Sequence, residues 1–154
     1  MDFSEGALSW APLTRKIEAM SGSEPDPIQA FLDGGPFAVA GASNDRSKYG
    51  NKVLRCYMQN DRRAFPVHPR ETEIEGLAAC PSLADVPEPI HGLSIITPPD
   101  VTVGIVKDAL GEGVRYVWMQ PGAEHPDAIA EAESSGAIVI HGGPCLLVAL
   151  RYRE

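Results

Sequence analysis

The sequence predicts a doubly wound α/β fold, a mostly parallel five-stranded sheet with helices on both faces. Five short apolar runs alternate with segments of helical spacing along 154 residues. The links between them are short, and most of the 15 Gly and 14 Pro fall in those links. Alternation of this kind places parallel strands side by side with their helices packed above and below.

Taken in order, residues 1–24 carry a loose helical rhythm in Leu8, Trp10, Leu13, Ile17 and Met20, weakened by Gly6 and Pro12, and Ser21-Gly22-Ser23 has linker composition. They are expected to form a partly ordered arm ahead of one domain over 25–154. Asp26-Pro27 then starts a helix, with Asp26 as N-cap, Pro27 at the first helical position and Ile28, Phe31 and Leu32 on one face. Gly34-Gly35-Pro36 stops it. Phe37 to Ala40 is the first strand; a polar loop follows Gly41, and Val53, Leu54, Tyr57 and Met58 mark a helix beginning near Gly50.

Ala64 to His68 is the second strand, and its Pro66 belongs near an edge or an end of the ladder. The acidic stretch Glu71 to Glu75 and Gly76 read as a polar connection leading to a helical turn at Ser82 to Asp85. Leu93 to Thr97 is the third strand. After Pro98-Pro99-Asp100 comes a helix whose buried side is expected to be Val101, Val103, Ile105, Val106, Ala109 and Leu110, ended by Gly111 and Gly113. Val114 to Met119 is the fourth strand, Pro126 to Ser134 a helix, and Ala137 to Ile140 the fifth strand. His141 to Cys145 forms the last loop before the apolar tail Leu146 to Leu150.

One domain's worth of chain with 44% hydrophobic and 22% charged residues is ordinary for a soluble protein. No apolar run approaches the roughly 20 residues that cross a bilayer, and Asp2 and Glu5 stand where a secretory signal would be basic. The expectation is a cytoplasmic protein without a membrane partner. Three scattered cysteines without a C-x-x-C give neither a disulfide framework nor a metal knuckle. A net charge of −8 argues against nucleic acid. The charge is uneven, however. From Arg46 to Arg70 seven basic residues face the single acid Asp61, a net of +6 that leaves −14 for the remainder. Such a segment suits a small polyanion, the alternative being a solvated basic helix face.

In a doubly wound sheet ligands collect at the carboxyl ends of the strands, where strand order reverses. Five segments end the five strands: Gly41 to Asn44, Val67 to Arg70, Thr97 to Pro99, Gln120 to Gly122 and His141 to Cys145. All are expected around one crevice. The junction after the first strand leaves N–H groups at a helix N-terminus, a setting for phosphate. The dinucleotide pattern G-x-G-x-x-G is absent, because Gly41 is followed by Ala42-Ser43 and the next glycine is Gly50. At the end of the second strand stands His68-Pro69-Arg70 in place of the acid that takes ribose hydroxyls, which favours a ribose phosphate. NADP and coenzyme A remain.

The run V-A-G-A-S (39–43), Tyr49-Gly50, P-V-H-P-R (66–70), P-S-L-A-D-V-P (81–87) and W-M-Q-P-G (118–122) resemble the single-domain CoA-binding proteins, which are similar to the Rossmann-like CoA-binding domain of the succinyl-CoA synthetase α subunit. The resemblance spans about residues 30–150. It implies that Gly41, Ala42 and Ser43, with Lys48, Tyr49 and Gly50, hold CoA phosphates, and that Arg70, in the turn with His68 and Pro69, meets the ribose phosphate or pyrophosphate. It further implies that Thr97, Pro98 and Pro99 line the nucleotide side and Gln120, Pro121 and Gly122 the pantetheine side. Where the single-domain proteins often have D-R-C-P, this chain has H-G-G-P-C, so the family motif does not fix the place of Cys145, which is counted with the crevice residues.

The synthetases use a phosphorylated histidine from a further domain and a partner subunit, and no such machinery is evident here. His68, His91, His125 and His141 read as turn or surface residues. Ser43 has no G-x-S-x-G elbow or His–Asp partner, so its hydroxyl is assigned to phosphate. Cys145 reads as an inert cysteine, with a mixed disulfide to the CoA thiol as the alternative. No catalytic residues and no metal ligands are assigned. The reading is therefore a module that binds CoA or acyl-CoA without chemistry of its own. An NADP-dependent oxidoreductase is one rival. The other is a nucleotide-binding subunit active only with a partner protein; the assemblies left open are a partner subunit and a homo-oligomer.

Overall fold

A computed structural model describes residues 26–154, and the arm expected over 1–24 lies outside them. Helix α1, Pro27–Leu32, begins as its sequence dictates: Asp26 accepts a hydrogen bond from the Ile28 amide, and Pro27 occupies the first turn. There follow β1 (Phe37–Ala40), α2 (Tyr49–Gln59), β2 (Ala64–Val67), β3 (Glu73–Ile74) and β4 (Leu77–Ala78). After a 3-10 turn at Leu83–Asp85 come β5 (Gly92–Ile95), α3 (Pro99–Gly111), β6 (Tyr116–Met119), α4 (Pro126–Ser134), β7 (Ile138–Ile140) and α5 (Leu146–Ala149).

Five strands form one all-parallel sheet in the order β2-β1-β5-β6-β7. The register pairs Ala40 with Val67 on one side and with Ile95 on the other, and Ile95 with Met119, so the carboxyl ends are level. The chain steps from β1 outward to β2, then crosses back to β5 on the other side of β1. The order therefore reverses between β1 and β5, and the loops leaving those two strands diverge to opposite faces.

Alternation along β1 divides the core. Phe37 and Val39 face α1, α2 and α5, where Phe31, Leu54, Tyr57, Trp118 and Leu146 are packed. Ala38 and Ala40 face α3 and α4 with Ile95, Val106, Met119, Ala128 and Ala132. On the first face Phe37 stacks on Tyr57 at 4.8 Å and on Phe31 at 5.2 Å between ring centroids, and Phe31 meets Trp118 edge-on at 5.3 Å. Pairs of this kind contribute roughly 0.5–1.5 kcal/mol each beyond area burial. Tyr57 keeps its hydroxyl satisfied at 2.6 Å from Ser94 Oγ, the one polar side chain β5 turns to this face.

Pro66 sits in the edge strand β2, as its missing N–H requires. Its carbonyl accepts from Cys80 N, and His68 N donates to Cys80 O, so the chain after β4 covers part of that edge. Two expectations are corrected. Glu71 to Gly76 is not a plain polar connection, because β3 and β4 form an antiparallel hairpin turning on Glu75 and Gly76, both with positive φ (52° and 82°). On α3, Val101 is 48% exposed, while Thr102, Val106 and Ala109 are fully buried. The Thr102 hydroxyl makes this tolerable by bonding Thr97 Oγ1 at 2.8 Å and the Pro98 carbonyl at 3.2 Å.

Candidate functional site

At the carboxyl ends of β1 and β5 lies a crevice of about 420 Å³, lined by Gly41, Ala42, Ser43, Lys48, Tyr49, Gly50, His68, Pro69, Ile96, Thr97 and Pro98. It sits at the reversal of strand order. Its floor depends on two glycines. A side chain at Gly41, where φ is +97°, would put Cβ 2.6 Å from Ile96 O, and one at Gly50 would put it 1.9 Å from Gly41 O. The start of α2 thus rests directly on the backbone of the first loop.

That start is electropositive. Lys48 is the N-cap of α2 and makes no side-chain cap, and the first turn holds no acidic residue. The first-turn N–H groups are thereby left for an acceptor in the crevice. Ser43 shapes the loop by accepting the Asp45 amide at 3.0 Å, and Asp45 in turn accepts both the amide and the hydroxyl of Ser47. Those two bonds hold the Asp45 carboxyl below its ordinary value of 3.8. Across the crevice, His68 Nδ1 accepts the amides of Arg70 and Glu71, each at 3.0 Å, which leaves Nε2 as the donor nitrogen.

The basic segment disperses on folding. Arg46 pairs with Glu75, Arg63 with Glu88 and Lys52 with Glu154, while Arg55 donates to Asn51 and Arg62 to the Leu32 carbonyl. Of the seven cations, Lys48 and Arg70 alone have no such partner among the described residues. Lys48 lines the crevice; Arg70 is exposed in the turn beyond Pro69 and does not line it.

Three of the five strand-end segments line the crevice, not all five. Pro99 lies outside it, in the first turn of α3. Gln120 is fully buried, and its Oε1 accepts from the Tyr49 hydroxyl at 3.0 Å and the Leu146 amide at 2.9 Å. Cys145 Sγ is 2.7 Å from the same Tyr49 hydroxyl. Burial and the adjoining thiol raise the pKa of Tyr49. The fourth and fifth segments therefore reach the crevice through the back of Tyr49. Pro121 and Gly122 are exposed, with Gly122 N held by Glu124 Oε1 at 2.9 Å. Ile96 was not singled out from the sequence; it follows β5 directly, and an apolar strand residue gives no signal separating crevice wall from core. Asn51 is a further omission, since a polar residue on a helix reads as surface until its burial is known.

Among the described residues no group of His, Cys, Asp and Glu is arranged to hold a metal ion, and no helix is long and apolar enough to cross a membrane. A family model described as CoA binding domain matches residues 36–151. Among solved structures, a conserved hypothetical protein from Pyrococcus furiosus is 32% identical, with a TM-score of 0.70 over 73% of this chain and 97% of that one. A Thermus thermophilus protein is 26% identical, with a TM-score of 0.72 over 82% of this chain and 97% of that one. The dinucleotide forming acetyl-coenzyme A synthetase 1 of Ca. Korarchaeum cryptofilum is 27% identical, with a TM-score of 0.59 over 67% of this chain and 25% of the enzyme.

Proposed function

The chain belongs to the CoA-binding domain family, and from that premise we propose that it binds coenzyme A or an acyl-CoA in the crevice between the ends of β1 and β5. The observation that carries the proposal is the uncapped start of α2, seated on the Gly41 loop with Lys48 beside it. Backbone donors, a helix dipole and a cation with no ion-pair partner among the described residues converge there, as binding of a pyrophosphate requires. In this reading Gly41, Ala42, Ser43, Tyr49 and Gly50 cradle the diphosphate with Lys48. Arg70, exposed and without an ion-pair partner among the described residues, turns toward the ribose phosphate from the rim beside His68 and Pro69. Thr97, Pro98 and Pro99 flank the nucleotide.

The pantetheine arm then runs toward Tyr49, behind which stand Gln120 and Cys145; Pro121 and Gly122 form the outer rim on that side. We assign no catalytic residue: Ser43 Oγ is engaged by Asp45 N, and no histidine contacts it among the described residues.

Thermal unfolding with added ligand tests this, because a ligand that binds only the folded state raises stability by RT ln(1 + [L]/Kd). CoA is expected to raise Tm, dephospho-CoA to raise it less, and Arg70→Ala to remove the difference between the two. A rise with NADP and none with CoA at about a millimolar would overturn the assignment.

A further inference from the structure

The turn of the β3–β4 hairpin carries a residue unsuited to it. Glu75 has φ +52° and precedes Gly76 at φ +82°, a pair of left-handed positions in a two-residue hairpin turn. Asn-Gly is the pair such a turn favours, and a glutamate there is strained. Its carboxylate explains its presence. Glu75 Oε2 accepts from Asn51 Nδ2 at 2.9 Å and from Arg46 Nε at 3.1 Å, and the side chain is only 19% exposed.

Asn51, wholly buried in the first turn of α2, donates through the same nitrogen to the Ser43 carbonyl at 2.8 Å, and its Oδ1 accepts from Arg55 Nε at 2.6 Å. Arg55 reaches on to the Arg46 carbonyl at 2.9 Å. The loop from Gly41 to Lys48 is thus gripped at Ser43 by Asn51 and at Arg46 by both Glu75 and Arg55. Asn44 adds a third grip by donating to Glu71 Oε1 and to the Glu73 carbonyl, each at 3.0 Å.

We propose that Glu75 and Asn51 are positioning residues for the crevice, holding the Gly41–Lys48 loop in its ligand-receiving shape from the side away from the ligand, and that the hairpin exists to present Glu75. This rests on the CoA reading for the identity of the ligand and on the hydrogen-bond geometry for everything else. Neither side chain lines the crevice, so each acts on the loop from behind.

The test is Glu75→Asn, which suits the left-handed turn yet is too short for the carboxylate contacts. Hydrogen exchange is followed without ligand at the amides of Asp45, Ser47 and Lys48, all bonded within the loop. Those amides are expected to exchange faster while Tm stays at or above the wild-type value. CoA affinity, read by calorimetry, is expected to fall about three- to tenfold, the scale of one hydrogen bond's net contribution. Glu75→Gln, which keeps an acceptor for Asn51 Nδ2 but loses the charge that pairs with Arg46, is expected to restore part of both. Unchanged loop exchange would overturn the proposal, as would faster exchange accompanied by a fall in Tm, which would give Glu75 a merely structural role. Because the exchange readout needs no ligand, failure of CoA to bind the wild type would refute the ligand assignment and leave this inference to be decided by exchange alone.

Discussion

Replacing Gly50 by alanine sets two effects against each other. Gly50 is the second residue of α2, and Gly→Ala within a helix ordinarily stabilises by up to about 1 kcal/mol. Here the new Cβ would lie 1.9 Å from the Gly41 carbonyl oxygen and 2.9 Å from its carbon. Ordinary contact begins near 3.4 Å, so helix and loop must part by about 1.5 Å, and the obstacle is backbone on both sides. Overpacking of this kind costs roughly 1–3 kcal/mol. The clash is expected to win, for a net loss of about 1–2 kcal/mol and a fall in Tm of roughly 2–8 °C for a domain of this size. The same displacement moves the first-turn donors off the ligand, so CoA affinity is expected to fall at least about tenfold, since placement within roughly 0.5 Å is what such sites require. Gly104→Ala is the control. It lies within α3 with nothing within 4 Å of the new Cβ, and it is expected to stabilise by about 0.5–1 kcal/mol without altering CoA binding. Urea denaturation of both variants with and without CoA decides the matter. A Gly50→Ala protein as stable and as tight as wild type would show that the contact between α2 and the Gly41 loop sets neither stability nor binding.

Three further outcomes are expected. Tyr57→Phe leaves the Ser94 hydroxyl buried without its partner and is expected to cost about 1–3 kcal/mol in urea denaturation, with CoA affinity unchanged. Iodoacetamide at mildly alkaline pH is expected to label Cys145, the one half-buried thiol, well before Cys56, whose burial pushes its pKa up to about 11; mass spectrometry of the labelled peptides reads the order. Glu75 is held below its ordinary value of 4.5, first by the Asn51 hydrogen bond and then by Arg46 and Arg55. A carboxyl depressed on folding contributes stability that is present above its unfolded pKa and lost as pH falls through the folded one. Protection of the Asp45, Ser47 and Lys48 amides, taken relative to each amide's intrinsic exchange rate at that pH, is therefore expected to fall below about pH 4.5 in wild type more than in Glu75→Gln, as measured by exchange across a pH series.

Much of this fold is legible from punctuation. Asp26-Pro27, Gly34-Gly35-Pro36, Pro98-Pro99 and the glycines at 111 and 113 mark helix ends by local chemistry, and the elements fall within a few residues of where those signals put them. Strand order is not legible in that way, because parallel partners such as Ala40 and Ile95 meet far apart in sequence and carry no shared local mark. The hairpin leaves no mark in the sequence, because each strand is two residues long and its turn is Glu-Gly, whose glutamate serves a contact and not the turn. Hydrophobicity misplaced the buried side of α3: Thr102 goes inward because its hydroxyl finds Thr97 and Pro98, and Val101 is left outside.

The candidate site divides similarly. Loop residues Gly41 to Ser43 and Lys48 to Gly50 were legible because glycines and a helix start leave a recognisable pattern. Charge counting overstated the rest, since an arginine such as Arg63 or Arg55 is committed to Glu88 or Asn51 only once the chain is folded. Gln120 was placed by its motif at a strand end, but its burial and its double acceptance from Tyr49 and Leu146 depend on the position of α5, which no local pattern records.

Amide chemical shifts followed during titration of the labelled protein with CoA locate the ligand on the fold. Saturable changes are expected at Gly41, Ala42, Ser43, Tyr49 and Gly50, extending to His68 and Thr97. Changes clustered instead around Arg46, Arg55 and Arg153 on the outer side of α2, or no saturable change at all, would contradict CoA binding in the crevice.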